Sequence, residues 1–427
     1  MSLIDELKEL QTAGIITSET AENIEAYYQN RNPPKTNRVL TAFGILGALL
    51  VGSGIILIIA HNWDQLSRGT QTTLAFIPLI LGQLICGYSL FTNNRNTVLK
   101  EGGTTFLVFA IGSCIALVSQ IYHHHGNLTS FLFTWALLSL PLIYVMRSSI
   151  AAILFIIGIT AFGVQYRHWE YLGISNHYWY WILFTTVVPY YIYQLKTYRN
   201  NNYISFLNWS VCISVVISLM IDTHDINELM FVTFFTLFGL MYQIGEMKYF
   251  KPYSIISNAY HVISVIGSII ILFILSFDDI IWNDLRGDNI NTIYSAKEFI
   301  PIVLLTALTL VVFVYQNRKK SFSDIGVFPL LFILFIPTFF LGYYSAISTL
   351  LINLFIFVLG VYHIIKGGQT VRLWEINYGL LMIAVLIYCR FFDTDISFVY
   401  KGIIFVLGGL GFFLTNYFIL KKKQTHE

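Results

Sequence analysis

The sequence has little charge. Of its 427 residues only 11% are Asp, Glu, Lys or Arg, against roughly 25% in a soluble protein, while 56% are apolar. That ratio excludes a water-soluble globule. Neither sign is in excess, with Lys and Arg at 25 and Asp and Glu at 23, so there is no basic field for nucleic acid and no acidic tail for a cationic partner. Cysteine is scarce as well. Cys86, Cys114, Cys212 and Cys389 all fall within or at the ends of apolar runs, which leaves none in a loop for a disulfide and no spacing that would hold zinc. They read as small packing residues. A P-loop, a dinucleotide fingerprint, a zinc-protease helix and a nucleophile elbow are all missing.

Long apolar runs are what the chain has instead. A bilayer core about 30 Å thick needs roughly 20 apolar residues in a helix, and fourteen such runs occur, from Val39–Ala60 to Ser397–Leu420. The shortest are the eighth, Leu229–Ile244, and the thirteenth, Ile376–Cys389. If the N-terminus is cytoplasmic, nineteen of the 25 Lys and Arg fall on the inner side, the bias expected of cytoplasmic loops. The sequence therefore predicts an all-α, polytopic membrane bundle of about fourteen transmembrane helices with both termini cytoplasmic. The 27 Tyr and 8 Trp suit the two membrane interfaces.

Residues 1–38 read as a soluble helical hairpin: Leu3, Leu7 and Leu10 share a face, Gly14 stands at a C-cap, and Thr17 or Ser18 caps a second helix that Pro33 and Pro34 end. No signal peptide is expected there. A cytoplasmic cap on the bundle is the plain role, a docking site for a protein partner the functional one. Spans one to four, within 39–150, form a first membrane segment, and 151–427 holds the other ten. Oligomeric state is left open.

Asp and Glu are absent from the middle of every span, which counts against an ion-coupled carrier. His261 and His363 lie toward the inner ends of theirs. Gln83, Ser119, Gln120, Asn208, Gln243, Asn258, Asn353, Asn377 and Asn416 either line a path or simply hydrogen-bond between helices. Gly44, Ala48 and Gly52 allow close helix approach, as do Gly408, Gly409 and Gly411. Pro78, Pro141, Pro189, Pro329 and Pro337 are expected to kink their helices.

Outside, the polar residues gather. Seven of the ten histidines fall on the outer side, with twelve acids and only six basic residues. The first span leaves the membrane at His61, Asn62, Trp63 and Asp64, the third at Gln120 followed by His123, His124 and His125, and the thirteenth at Arg390 and Asp393. An aromatic directly before Asp recurs at Trp63–Asp64, Phe277–Asp278 and Phe392–Asp393. His61, Trp63, Asp64, Gln120, His123, His125 and Asp393 are thus the candidate site. Within it His61, Asp64, His123 and His125 offer imidazole and carboxylate ligands for a divalent metal, or an acid/base pair working near neutral pH. No other cofactor is expected.

The stretch from Gly54 through His61 to Asp64, the segment Gln120 to Gly126, the segment from Trp135 through Pro141 to Arg147 and Ser148, and the hairpin with Gly14 and Thr17 resemble a bacterial membrane-protein family, domain of unknown function 2157. The closing segment from Arg390 to Lys423 is similar to the tail of such proteins. The resemblance implies residence in the bacterial inner membrane and brings no activity. Three functions remain open: transport of a small or lipid-linked solute, a non-catalytic scaffold or envelope-stress component, or a membrane enzyme acting on a lipid-linked or envelope substrate.

Overall fold

The computed structural model describes residues 63–92, 97–124, 126–167, 178–197, 202–222, 228–247, 249–250, 257–287, 299–318, 326–370 and 372–393, with isolated positions in 11–21 and 399–413. Among these the secondary structure is helical throughout. A 3-10 turn, Trp63–Gln65, precedes α1 (Arg68–Phe91), α2 (Thr97–Ile121), α3 (Leu128–Val145), α4 (Ser149–Arg167), α5 (Tyr178–Thr197) and α6 (Asn202–Asp222). Then come α7 (Leu229–Gly245), α8 (Ala259–Leu275), the short α9 (Asp278–Gly287), α10 (Phe299–Asn317), α11 (Val327–Leu341), α12 (Ile347–Thr370) and α13 (Leu373–Asp393). Each predicted span from the second to the thirteenth coincides with one of these helices. The first run lies outside the described residues, as do the hairpin's helices and the last run apart from isolated positions; in the hairpin, Gly14 takes a positive φ of 69° and Thr17 Oγ1 accepts the Thr20 N–H at 3.3 Å, the capping roles expected of them.

Seven helices, α1, α2, α3, α6, α10, α12 and α13, are long and apolar enough to cross a membrane; α4, α7, α8 and α11 are apolar but shorter. The chain divides into two compact units, Met1–Leu74 and Ala75–Glu427. In the first, Ser67 Oγ caps α1 by accepting the Thr70 N–H at 3.3 Å, and Gln71 Nε2 donates to the Trp63 carbonyl at 2.8 Å.

At the centre of the second unit stands α7. This helix is apolar on every side, the pattern of a helix enclosed by protein rather than facing a solvent. Val232, Thr233 and Phe235 are all buried, and the Phe235 ring stacks on Phe335 of α11 at 3.7 Å between centroids. Gly239 and Gly267 make room for Phe332 and Phe238, since a methyl group at either would press on the ring. The pair α12 and α13 pack closer still. A Cβ on Gly379 would run into the Gly360 carbonyl, and one on Gly367 would come within 2.8 Å of the Ile376 amide nitrogen. Small residues permit such backbone approach, and in a membrane this packing replaces the hydrophobic drive.

Two local features differ from the sequence expectation. The segment beginning at Asp278, expected as a loop, contains a helix, α9, because Ile281, Trp282 and Leu285 share one face and are buried, with Trp282 Nε1 donating to the Leu275 carbonyl at 2.9 Å. Pro329, expected to kink a helix, sits in the first turn of α11, where its missing N–H removes no intrahelical bond. Pro78, Pro141, Pro189 and Pro337 do lie inside their helices.

A carboxylate joins α2 to α4. Glu101, buried at the start of α2, accepts from the Ser149 and Ile150 N–H groups at 3.1 and 3.2 Å and from the Ser148 hydroxyl, so it caps the positive end of α4. Trp135 Nε1 donates to the Val108 carbonyl at 2.7 Å and ties α3 to α2. Trp135 and Ser148, which carry part of the family resemblance, are therefore structural joints.

Candidate functional site

Of the predicted outer-face set, His61 and His125 lie outside the described residues, as does the side chain of Asp393. Trp63 and Asp64 belong to the first unit, with Asp64 exposed. Gln120 and His123 are exposed at the end of α2, where the His123 N–H meets the Gln120 carbonyl at 3.2 Å and His123 takes a positive φ of 51°. Among the described residues no three His, Cys, Asp or Glu side chains are grouped to hold a metal.

The Phe277–Asp278 pair is engaged in structure. Arg286 of α9 grips both Asp278 oxygens at 2.7 and 3.1 Å, and the Thr349 hydroxyl of α12 donates to the same carboxylate at 2.6 Å. The Arg286 guanidinium holds the Asp278 carboxyl below the usual carboxylate range. Arg390 of α13 lies over the Phe277 ring at 4.7 Å and donates to the Ser276 hydroxyl. Asn353 of α12 donates to the Ser276 carbonyl at 3.0 Å. At this end of the bundle most of these polar groups bind one another, although Asn353 Oδ1 is buried without a hydrogen-bond partner among the described residues.

The opposite end is different. There α7, α10 and α12 finish while α8, α11 and α13 begin, and the six enclose a cavity of about 530 Å³. Glu246, His261, His363, Lys366, Arg372 and Glu375 bring charge and imidazole to it; Gln243, Gln316 and Asn317 bring amides; Tyr242, Phe328, Tyr362, Trp374 and Tyr378 bring aromatic faces. Chain order explains the convergence. Each helix contributes residues from its first or last three turns, with Tyr378 about 8 Å along α13.

Part of this wall is tied down. Asn258 caps α8 through the His261 N–H at 3.2 Å and reaches the Gly245 carbonyl at 3.0 Å. Gln316 Nε2 donates to the Gln243 carbonyl at 2.6 Å. His261 Nδ1 stands 3.5 Å from Glu246, and Arg372 meets one oxygen of Glu375 at 3.2 Å. His363 packs edge-on to Tyr378, and Lys366 lies over the Tyr362 ring at 5.6 Å. Other polar atoms have no hydrogen-bond partner among the described residues: Gln243 Nε2, His363 Nδ1, Glu375 Oε2 and the Tyr378 hydroxyl. Gln243 and Glu375 are 2% and 3% exposed, so water does not reach them from outside. Buried polar groups are ordinarily paired, and those that are not call for a ligand, water or strain to explain them.

The sequence places His261 and His363 near one membrane face and Gln243 among residues that line a path or bridge helices. Glu246, Lys366, Arg372 and Glu375 read there only as loop charges. Of the other path candidates, Asn208 accepts from the Tyr191 hydroxyl at 2.6 Å, while Asn258 and Asn353 bridge helices. The cysteines are free, three of them buried.

Seven apolar helices of spanning length in an all-helical chain define a polytopic membrane protein. A family model described as "Predicted membrane protein (DUF2157)" matches residues 8–152, the part that carries the stretches around His61, Gln120 and Trp135. No curated protein and no solved structure matches the chain. The matched segment ends at the start of α4, and the cavity is built wholly from helices beyond it.

Proposed function

We propose that this is a fourteen-span protein of the bacterial cytoplasmic membrane, both termini cytoplasmic, that binds a small or lipid-linked solute in the cavity between α7 and α13 and moves it across the bilayer. One observation carries the proposal: Gln243, His363, Glu375 and Tyr378, which line a common cavity within an apolar bundle, each hold a buried polar atom with no hydrogen-bond partner among the described residues. The basic residues at that end, Arg318, Lys366 and Arg372, support a cytoplasmic position for the cavity. Many short-looped helices around a polar cavity suit a carrier better than a hydrolytic enzyme, whose chemistry needs a nucleophile or metal set in place.

Reconstitution tests it. Proteoliposomes should release entrapped glycerol 3-phosphate, or transfer a fluorescent phospholipid between leaflets, at a protein-dependent rate that falls at least tenfold with Glu375→Leu. A rate equal to that of protein-free vesicles for both would remove the transport reading. Reporter fusions test the topology, and a cytoplasmic signal from a fusion between Asp288 and Glu298 would break the fourteen-span arrangement.

A further inference from the structure

Resting on that reading, we infer that the cavity recognises a phosphodiester whose alcohol part carries a hydrogen-bond donor, a hydroxyl or an ammonium, as in a glycerol-type or ethanolamine-type phospholipid headgroup.

The phosphate half follows from the donors. Gln243 Nε2 has only hydrogens to offer, and the Tyr378 hydroxyl can donate beside it. Lys366 and Arg372 supply charge at the rim, both on exposed side chains able to reach an anion without first being stripped of water. The N-terminus of α11 also lines the cavity, at Gly326, Val327 and Phe328, and its N-cap residue Gly326 has no side chain to cap it. The N–H groups of a first helical turn have no intrahelical partner and, with the helix dipole, favour an anion. These donors come from four different helices and meet at one cavity.

The second half follows from Glu375. A bare anion would be repelled by this carboxylate, yet only one of its oxygens is engaged by Arg372 and the other, Oε2, is buried without a partner among the described residues. An acceptor in that position requires a donor on the ligand, within a few bonds of the phosphate. Hydroxyl and ammonium headgroups supply one; a trimethylated ammonium does not. Formal charge agrees, since Lys366 and Arg372 balance Glu246 and Glu375 and leave a site for a ligand of mixed polarity.

A route for acyl chains lies beside these groups. Val262, Val265 and Ile266 form one face of α8 and line the cavity. Ile266 is 55% exposed on the bundle surface, so this wall runs from the polar groups out to where lipid lies. A diacyl phosphodiester can enter sideways with its head at Gln243 and Glu375; a soluble phosphoester would use the same polar groups and ignore the groove.

Thermal unfolding of the detergent-purified full chain, titrated with dihexanoyl phosphatidylglycerol, phosphatidylethanolamine and phosphatidylcholine and with glycerol 3-phosphate, tests this. The first two should stabilise with apparent Kd at least tenfold below that of the choline lipid. Glu375→Gln, which keeps the shape, should shrink that preference to less than threefold. Lys366→Gln, an exposed change that spares the fold, should weaken all the phosphate ligands alike, by about three- to tenfold. Equal binding of the three headgroups by the wild type, or a preference untouched by Glu375→Gln, would overturn the inference. Glycerol 3-phosphate, a soluble monoester, as potent as the lipids would overturn the phosphodiester part of the inference. Headgroup-selective binding without translocation would sink only the transport reading, and translocation without headgroup selectivity only this inference.

Discussion

The two ends of the helical bundle use polar residues in opposite ways. Around Asp278, charge is spent on architecture: Arg286 and Thr349 satisfy the carboxylate, Trp282 seals α9 against the bundle, and Asn353 and Arg390 hold the turn at Ser276. Around Gln243 and Glu375, several residues that line one cavity hold buried polar atoms without a hydrogen-bond partner among the described residues, where the Asp278 end has Asn353 Oδ1. Desolvating a polar group without a partner costs about 1–3 kcal/mol, so the second arrangement is one that stability alone would not favour. The difference separates residues that hold the fold from residues held ready for something else.

The contrast can be broken most forcefully at the structural end. Trp282→Ala removes a fully buried indole and its bond to Leu275, and should cost about 3–5 kcal/mol, read as loss of thermal stability in detergent. Between the ends, Gly379→Val forces α13 away from the Gly360 carbonyl; about 1–3 kcal/mol should go, and ligand stabilisation should go with it because α13 carries Glu375 and Tyr378. Gln243→Leu sharpens the comparison from the other side. With no ligand added it should leave the unfolding temperature unchanged or raise it, a gain of about 1 kcal/mol from deleting an unpaired donor, and a clear loss of stability would mean that Nε2 is structurally engaged.

The smallest effect concerns pH. Asp278 has a folded pKa below its ordinary value, so its contribution is fully present above the ordinary carboxylate range and disappears as pH falls through the lowered folded value. Asp278→Asn should therefore cost less than about 1 kcal/mol at neutral pH, because the pair is partly exposed, and should flatten the acid limb of the stability profile below about pH 4. An unchanged acid limb would show that Asp278 does not contribute to it.

Much of the fold was legible because a span is a local property. Twelve of the predicted runs are helices in the structure, and even the short eighth run is α7, whose length is explained by its enclosure among other helices. Helix α9 was hidden because Ile281, Trp282 and Leu285 are too few to register as an apolar run. The cavity was hidden for another reason. Gln243 and His261 come from α7 and α8, His363 and Glu375 from α12 and α13, two helix pairs far apart in sequence, and no spacing within one segment reveals that they meet. Likewise, Gly360 and Gly379 lie on different helices, so no small-residue pattern within either one shows the approach they permit. Local clustering drew attention instead to the outer-face histidines, which are conspicuous because three of them are adjacent.

The most direct test is a cryo-EM map of the full chain in nanodiscs containing phosphatidylglycerol. The account predicts headgroup density in the cavity, with phosphate oxygens within about 3.2 Å of Gln243 Nε2 and the Tyr378 hydroxyl and a headgroup hydroxyl at Glu375 Oε2. A map in which these three side chains close on one another, leaving no room for a ligand, would contradict it.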